Sequence, residues 1–232
     1  MLLDGAGVPE VRVELVGRQV LVVAAGFDHA SELARLGHYI REHRPVLVGV
    51  GAGADALLKA RHRPHLIVGD PSEISDEALT CGADVVVPAF ADGHAPGLHR
   101  VQDLGVSAVT FPSSANPEDL ALLIAGHGGA SLVATVGLSA SMAEFLDRGR
   151  SGSIASTFLT RLQLGGLLVD SQVIASLYRS RISLGATLLM IAAALVAVLT
   201  ALLVSNAGEA VLAWFVQFWP GLVEQVGHLT GG

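Results

Sequence analysis

The sequence predicts an α/β fold, a parallel Rossmann-like sheet, followed by a C-terminal membrane-spanning helix. Three observations predict it. Six short apolar, β-branched runs recur along the first 136 residues, and near-continuous apolar strands belong to parallel sheets covered on both faces. Between the runs lie segments with helix-start chemistry. After them, the run from Ile182 to Gly208 carries no charge, and its apolar centre, Leu184 to Val204, has 21 residues. At ~1.5 Å per helical residue this matches a hydrocarbon layer of ~30 Å.

The expected strands are Gln19 to Ala24, Val46 to Val50, Leu66 to Gly69, Asp84 to Val87, Ala108 to Phe111 and Ser131 to Val136. Asp28 is a candidate N-cap for a helix over Ala30 to Glu42, and Ser72 or Ser75 opens a helix over Asp76 to Cys81. Asn116 caps a helix whose first residue is Pro117, with Glu118 and Asp119 complementing its dipole. Leu146 to Ser153 reads as a polar, Gly-rich linker, and Ile154 to Leu162 and Leu167 to Tyr178 as amphipathic helices. The domain plan is 1–145 for the α/β domain, 146–181 for the linker and amphipathic helices, 182–207 for the span, and 208–232 for an extracytoplasmic interfacial helix and tail. That last helix rests on Trp214, Phe215, Phe218 and Trp219, aromatic residues suited to headgroup depth; Gln217 and Pro220 disfavour a second span. Arg179 and Arg181 precede the span and no Lys or Arg follows it, so the N-terminal domain is expected in the cytoplasm, the single-pass protein in the plasma membrane and the C-terminus outside. Met1 to Val8 has no basic region ahead of an apolar run, so a secretory signal is not expected.

The chain of 232 residues has a net charge of −7, and its 14 basic residues include a single lysine, Lys59. No basic stripe follows a phosphate backbone, which argues against a nucleic-acid partner. Cys81 is the one cysteine, so an internal disulfide and a multi-cysteine metal site are both excluded.

In an open parallel sheet, ligands bind beyond the carboxyl ends of the strands, which directs attention to four loops: Gly49 to Ala54, Gly69 to Glu73, Phe90 to Gly97 and Gly137 to Ser141. Gly49-Val-Gly-Ala-Gly-Ala-Asp55 follows a strand and opens a helix. Gly51 and Gly53 there suit either a phosphate cradle or a tight βα turn with no ligand. Gly69-Asp-Pro-Ser-Glu-Ile-Ser-Asp76 sets Asp70, Ser72 and Glu73 at the end of the next strand, as carboxylates for a hard cation such as Mg²⁺ or as an ordinary turn and cap. His62, His65, His94 and His99 show no metal-ligand spacing, and no Gly-x-Ser-x-Gly elbow or Cys/His pair suggests covalent catalysis.

The order of these pieces, with Glu118-Asp119-Leu-Ala-Leu122 on a helix, resembles the catalytic domain of thiamine pyrophosphokinases, whose motifs read Asp-Gly-Gly-Ala, Gly-Asp-x-Asp-Ser and Lys-Asp-x-Thr-Asp. From Leu2 to about Val204 the chain is more closely similar to the C-terminal part of the SteA-type septation proteins of actinobacteria. Five stretches carry that resemblance: Tyr39-Ile-Arg-Glu-His-Arg-Pro-Val-Leu-Val-Gly-Val50, Ser75-Asp-Glu-Ala-Leu-Thr-Cys-Gly-Ala83, Ala95-Pro-Gly-Leu98, Glu144-Phe-Leu-Asp-Arg-Gly-Arg150 and Ala155-Ser-Thr-Phe-Leu-Thr-Arg161. The resemblance implies a kinase-like cytoplasmic domain on a membrane helix, acting in cell division and envelope assembly with a small companion membrane protein or the division machinery. A counterpart of that family's N-terminal region is missing ahead of the kinase-like domain, which implies a shortened paralogue or an incomplete reading frame.

The departures from the kinase motifs bear on activity. Gly51 stands where the kinases have the first Asp, Ser72 where they have the second acid of Gly-Asp-x-Asp, and Ala115 and Asn116 where they have Lys-Asp. Only Asp70 and Asp119 keep their acids, with Glu73 a partial replacement. Phosphoryl transfer depends on carboxylates that hold Mg²⁺ and on positive charge at the transferred group. The expectation is therefore a non-catalytic adaptor whose residual pocket comprises Gly51, Gly53, Asp70, Ser72, Glu73 and Asp119. A nucleotide with Mg²⁺ on Asp70 is the ligand that pocket would take. Arg148, Arg150 and Arg161 are the candidate contacts for partners or for a second copy, and equally suit a linker facing water or anionic lipid. The alternative is a membrane-tethered kinase-like enzyme handling nucleotide or thiamine phosphates.

Overall fold

The computed structural model describes residues 7–26, 28–138, 154–177 and 184–204. Expectations placed on 139–153, 178–183 and 205–232, including Arg148, Arg150 and the interfacial helix, lie outside the described residues. The chain divides into two compact units, Met1–Arg179 and Ser180–Gly232.

In the first unit, β1 (Gln19–Ala24), β2 (Val46–Val50), β3 (Leu66–Val68), β4 (Asp84–Ala89), β5 (Ala108–Pro112), β6 (Leu132–Val136) and β7 (Leu168–Asp170) form one sheet in the order β5-β4-β3-β2-β1-β6-β7. Every pairing is parallel. β1 is flanked by β2 and β6, with Val22 opposite both Val48 and Thr135, so the order of winding reverses beside it. Burial follows from position: β2 and β3 are buried throughout, whereas β5 and β7, at the ends of the order, are largely half-exposed.

Alternate strand residues feed the two sides of the sheet. Val20, Val22, Val48, Val50, Leu66 and Val68 pack under helix α6 (Pro117–His127). Residues 119–125 of α6 are all buried, as its sequence Leu-Ala-Leu-Leu-Ile-Ala requires: a helix apolar all round needs cover on its outer side as well. That cover is α7 (Ile154–Leu164), whose Leu164 joins the same cluster. On the other side, Leu21, Val23, Leu47 and Val136 pack with α1 (His29–Arg35) and α2 (Gly37–His43), and Leu57 of α3 (Gly53–Lys59) and Ile174 of α8 (Ser171–Leu177) join them. Ile67, Val85 and Val87 pack with α4 (Asp76–Leu79) and α5 (Leu98–Asp103).

The local chemistry departs from the sequence expectation in two places and decides between two candidate caps in a third. The helix expected over Ala30 to Glu42 is two helices that meet at Leu36, and Asp28 adopts a left-handed φ of 61° with no side-chain cap, lying 3.9 Å from Arg35 instead. Asp tolerates that conformation better than most residues. Ser75, not Ser72, is the cap of α4, its Oγ accepting from Ala78 N at 3.2 Å. The segment expected as a helix from Leu167 begins as β7: a turn at Gly165 (φ +43°) reverses the chain after α7, and Asp170 then caps α8 by accepting from Gln172 N at 2.8 Å. Residues 154–177, expected in a linker region, thus extend the same sheet and its covering layers.

In the second unit, α9 (Leu184–Val204) is an uncharged helix of 21 residues whose described side chains, 188–201, are all exposed. Counted over the described residues, no helix is long and apolar enough to cross a membrane.

One of the tightest joints in the sheet is between α3 and β1. A Cβ on Gly53 would overlap the backbone carbonyl of Val23, which cannot yield without moving the central strand. Gly53→Ala should therefore cost about 3 kcal/mol, read as a lowered urea midpoint. Gly126→Ala, whose added methyl meets only the Leu164 side-chain tip, should cost less.

At the amino ends of the strands, His65 Nδ1 accepts the Leu47 N–H at 3.0 Å. Desolvation lowers the pKa of both His65 and His62 below 6.5, and the Arg18 guanidinium adds to the effect at His65 and that of Arg41 at His62. A histidine with a depressed folded pKa binds its proton more weakly in the native state, so the unfolded chain takes up the excess. Stability should be full above pH 6.5 and fall as pH drops through the two folded values. Urea unfolding between pH 7.5 and 5.5 should show the decline, and His62→Gln should flatten part of it.

Candidate functional site

The loops after β2 and β3 lie back to back at the carboxyl edge of the sheet. Gly51 takes φ +50° and donates to Val68 O at 3.0 Å, and a Cβ on Gly69 would come within 2.9 Å of Gly51 N. Glu73 reaches over this turn, since a Cβ on Gly51 would sit 3.3 Å from its Oε2. Gly51, Gly69 and Glu73 are therefore brought together, and Gly53 is turned against β1. Of the two readings of the glycine run, the tight βα turn accounts for both glycines by close backbone approach.

Asp70 sits one strand further on. Its Oδ1 accepts from Ser72 N at 2.8 Å, a turn that caps the short 3₁₀ segment Pro71–Glu73. With Phe90, Pro96, Ser113, Ser114 and Ala115 it lines a cleft of about 350 Å³ beyond the ends of β3, β4 and β5. Ser72 thus acts through its backbone, and its position supplies no acid. Ala115, at the position the resemblance gives to lysine, borders this same cleft, as does Ser113, whose Oγ accepts from Ala115 N at 3.1 Å. Among the described residues no three His, Cys, Asp or Glu side chains converge on a cation, and the cleft lining holds no second carboxylate. Asp70 is thus the one carboxylate of the cleft, and a Mg²⁺ ion held there would take its remaining ligands from substrate phosphates and water.

The loop is held from behind by Arg100 on α5, a residue the sequence reading passed over. Its guanidinium donates to Pro71 O and, at 2.6 Å, to Asp76 Oδ1. Asp55 performs the matching task from α3, accepting from Ser75 N at 3.3 Å and from the Ser75 hydroxyl. Both residues stood in unremarkable helical contexts, where a sequence gives no sign that a side chain crosses to another loop.

Asp119 lies apart from this cleft's lining. Asn116 caps its helix as expected, accepting from Asp119 N at 2.9 Å, and the Asp119 side chain is 1% exposed. Its Oδ2 accepts from Thr157 Oγ1 of α7 at 3.0 Å. Four residues on, Arg161 donates from Nη2 to Leu138 O at 2.6 Å, just past the end of β6. The Ala155 to Arg161 stretch therefore directs Thr157 and Arg161 inward, while Phe158, Leu159 and Leu162 remain exposed. Arg161 is half-buried and bound to the domain's own backbone. On the far side of β6, Glu32 Oε2 accepts from Gly137 N and from Ser171 Oγ, each at 3.0 Å, and ties α1 to the β6 loop and to α8.

Fold and site together define a parallel-sheet α/β protein of Rossmann-like type, with its polar loops at the carboxyl edge. Residues 174–223, from within α8 onward, match the family model of the SteA-like C-terminal domain, in keeping with the resemblance to SteA-type proteins. Among seven matching solved chains is the crystal structure of thiamine pyrophosphokinase from Bacillus subtilis, 20% identical, with a TM-score of 0.36 over 63% of this chain. The match spans 53% of that kinase's own length. No curated protein matches the chain.

The Asp119 to Thr157 bond has a measurable consequence. Thr157→Val removes the hydroxyl donor from a buried carboxylate at nearly constant volume, and should destabilise the chain by about 1.5–3 kcal/mol. In a double-mutant cycle with Asp119→Asn, the two losses should fall short of additivity by about 1 kcal/mol.

Proposed function

We propose that this protein is a membrane-anchored, non-catalytic adaptor in bacterial septation and envelope assembly, with its kinase-like α/β domain in the cytoplasm. The observation that carries the reading is the Asp119 to Thr157 hydrogen bond: the retained acid of the kinase pattern is engaged by a stretch characteristic of SteA-type proteins. Asp70, the other retained acid, is engaged in its own turn. Two acids that the kinases devote to metal-assisted transfer are here used to hold chain segments in place, and the positions of their partners are Gly51, Ser72, Ala115 and Asn116.

The SteA-like C-terminal domain supports a role in septation. The uncharged run from Ile182 to Gly208 in the sequence, with Arg179 and Arg181 ahead of it, supports a single span in the plasma membrane with the C-terminus outside. The partners would be a small companion membrane protein or other division machinery, with a second copy of the chain as a further candidate. Arg148, Arg150 and Arg161 stand as contact candidates on their sequence, with Nη2 of Arg161 also donating to Leu138 O.

A second reading, a membrane-tethered kinase-like enzyme for nucleotide or thiamine phosphates, draws support from the cleft beside Asp70. Calorimetry of the full chain in non-ionic detergent with MgATP separates the two. The adaptor reading expects no binding at millimolar ATP, in the parent and in Asp70→Ala alike. Tight binding lost in Asp70→Ala would reverse the assignment.

A further inference from the structure

The loops considered so far lie at the carboxyl edge of the sheet. At its amino edge is a second cleft, of about 370 Å³, bordered by Arg12, Arg63, His65, Gly82 and Asp84. Its one acid already accepts three hydrogen bonds. Asp84 accepts at Oδ2 from the backbone N–H groups of Arg12 (2.7 Å) and Val13 (3.0 Å), and at Oδ1 from Arg12 Nε (2.7 Å). The carboxylate fastens the N-terminal segment to β4.

The donors around it are not saturated. Arg12 is bonded through Nε alone and its side chain is 77% exposed, so both terminal nitrogens lack an acceptor among the described residues. Arg63 is likewise bonded only through Nε, to Cys81 O. Its Nη2 extends over Gly82, where a Cβ would come within 3.1 Å, so the glycine leaves room for the guanidinium. His65 supplies a third donor. Because Nδ1 accepts the Leu47 N–H, the neutral ring carries its proton on Nε2. Arg18 adds positive field at the imidazole.

Two guanidinium groups and an imidazole N–H thus border one open cleft, whose only carboxylate is paired with Arg12 and leaves the Arg63 charge unbalanced. Such a donor set matches a tetrahedral oxyanion, which accepts several charge-assisted hydrogen bonds at once. We propose that this amino-edge cleft is a phosphate-binding site, in which Arg12, Arg63 and His65 hold the phosphate group of a free phosphate or of a phospholipid headgroup. The site is independent of the carboxyl-edge loops and of the adaptor reading.

Isothermal calorimetry on the full chain in non-ionic detergent, at constant ionic strength, tests it with two titrants: inorganic phosphate and micelle-dissolved phosphatidylglycerol. Saturable binding of either is expected, weakened at least tenfold by Arg63→Gln and unchanged by Arg35→Gln, a matched loss of charge on α1. Saturation by phosphate alone identifies a soluble ligand; saturation by the lipid alone identifies a headgroup. In the parent protein, occupancy should also raise the His65 pKa, followed through its ring-proton resonance, so the test stands even if Arg63→Gln fails to fold. Unsaturable heats with both titrants, equal losses in the two arginine variants, or an unmoved His65 titration would overturn the proposal.

Discussion

The carboxyl edge of this domain is governed by how closely its backbone segments approach one another around β1. β1 is hydrogen-bonded on both sides and covered on both faces, so the loops leaving its neighbours have little volume to share. Glycine resolves the crowding: Gly53 against Val23 O, Gly49 against Ala54, Gly69 against Gly51 N, and Gly26 against Gly137. The last pair joins the ends of β1 and β6, the point of reversal where an open α/β sheet ordinarily offers its crevice. There the backbones of Gly26 and Gly137 approach closely, with Glu32 bonding Gly137 N beside them. A cleft lies beyond β3, β4 and β5, where Asp70 borders it.

The same crowding explains why the strands were legible. β1 to β4 and β6 are buried on both faces and read as nearly unbroken apolar runs, so their positions follow from composition to within a residue or two. β7 escaped because Leu168-Val-Asp170 is three residues long, lies at the sheet edge, and is separated from α7 only by the short Gly165–Leu167 turn. Its pairing with Val133 to Thr135 is a long-range choice that local pattern does not encode. The break between α1 and α2 was hidden for a related reason: Leu36 keeps a near-helical backbone, so the apolar spacing of Leu33, Leu36 and Ile40 runs on as one helix would.

The site was legible in its parts and not in its connections. Asn116, Pro117 and the acids of the first turn were readable because capping is chemistry between near neighbours. Asp70 and its loop were found because turn residues after a strand mark the carboxyl edge. What the sequence withholds is pairing across distance: Thr157 with Asp119, Arg161 with Leu138 O, Arg100 with Pro71 O and Asp76. Thr157 and Arg161 could have been suspected, since a helix carrying both polar and apolar residues has to direct one set inward, but which set depends on what it covers. α7 covers α6, whose first turn contains a buried acid, so the polar set turns in.

That inversion ties the architecture to the proposed function. A helix that shields α6 from water crosses its first turn, where Asp119 is buried, and Thr157 donates to that carboxylate. Cover and occupation of the acid are then one event: the apolar outer surface of α6 creates the demand for α7, and α7 arrives with a hydroxyl for Asp119. Phe158, Leu159 and Leu162 face outward as the complement of that choice, because Thr157, Thr160 and Leu164 take the inner face. On the adaptor reading, the apolar exposure of α7 and the sequestering of Asp119 therefore have a common cause.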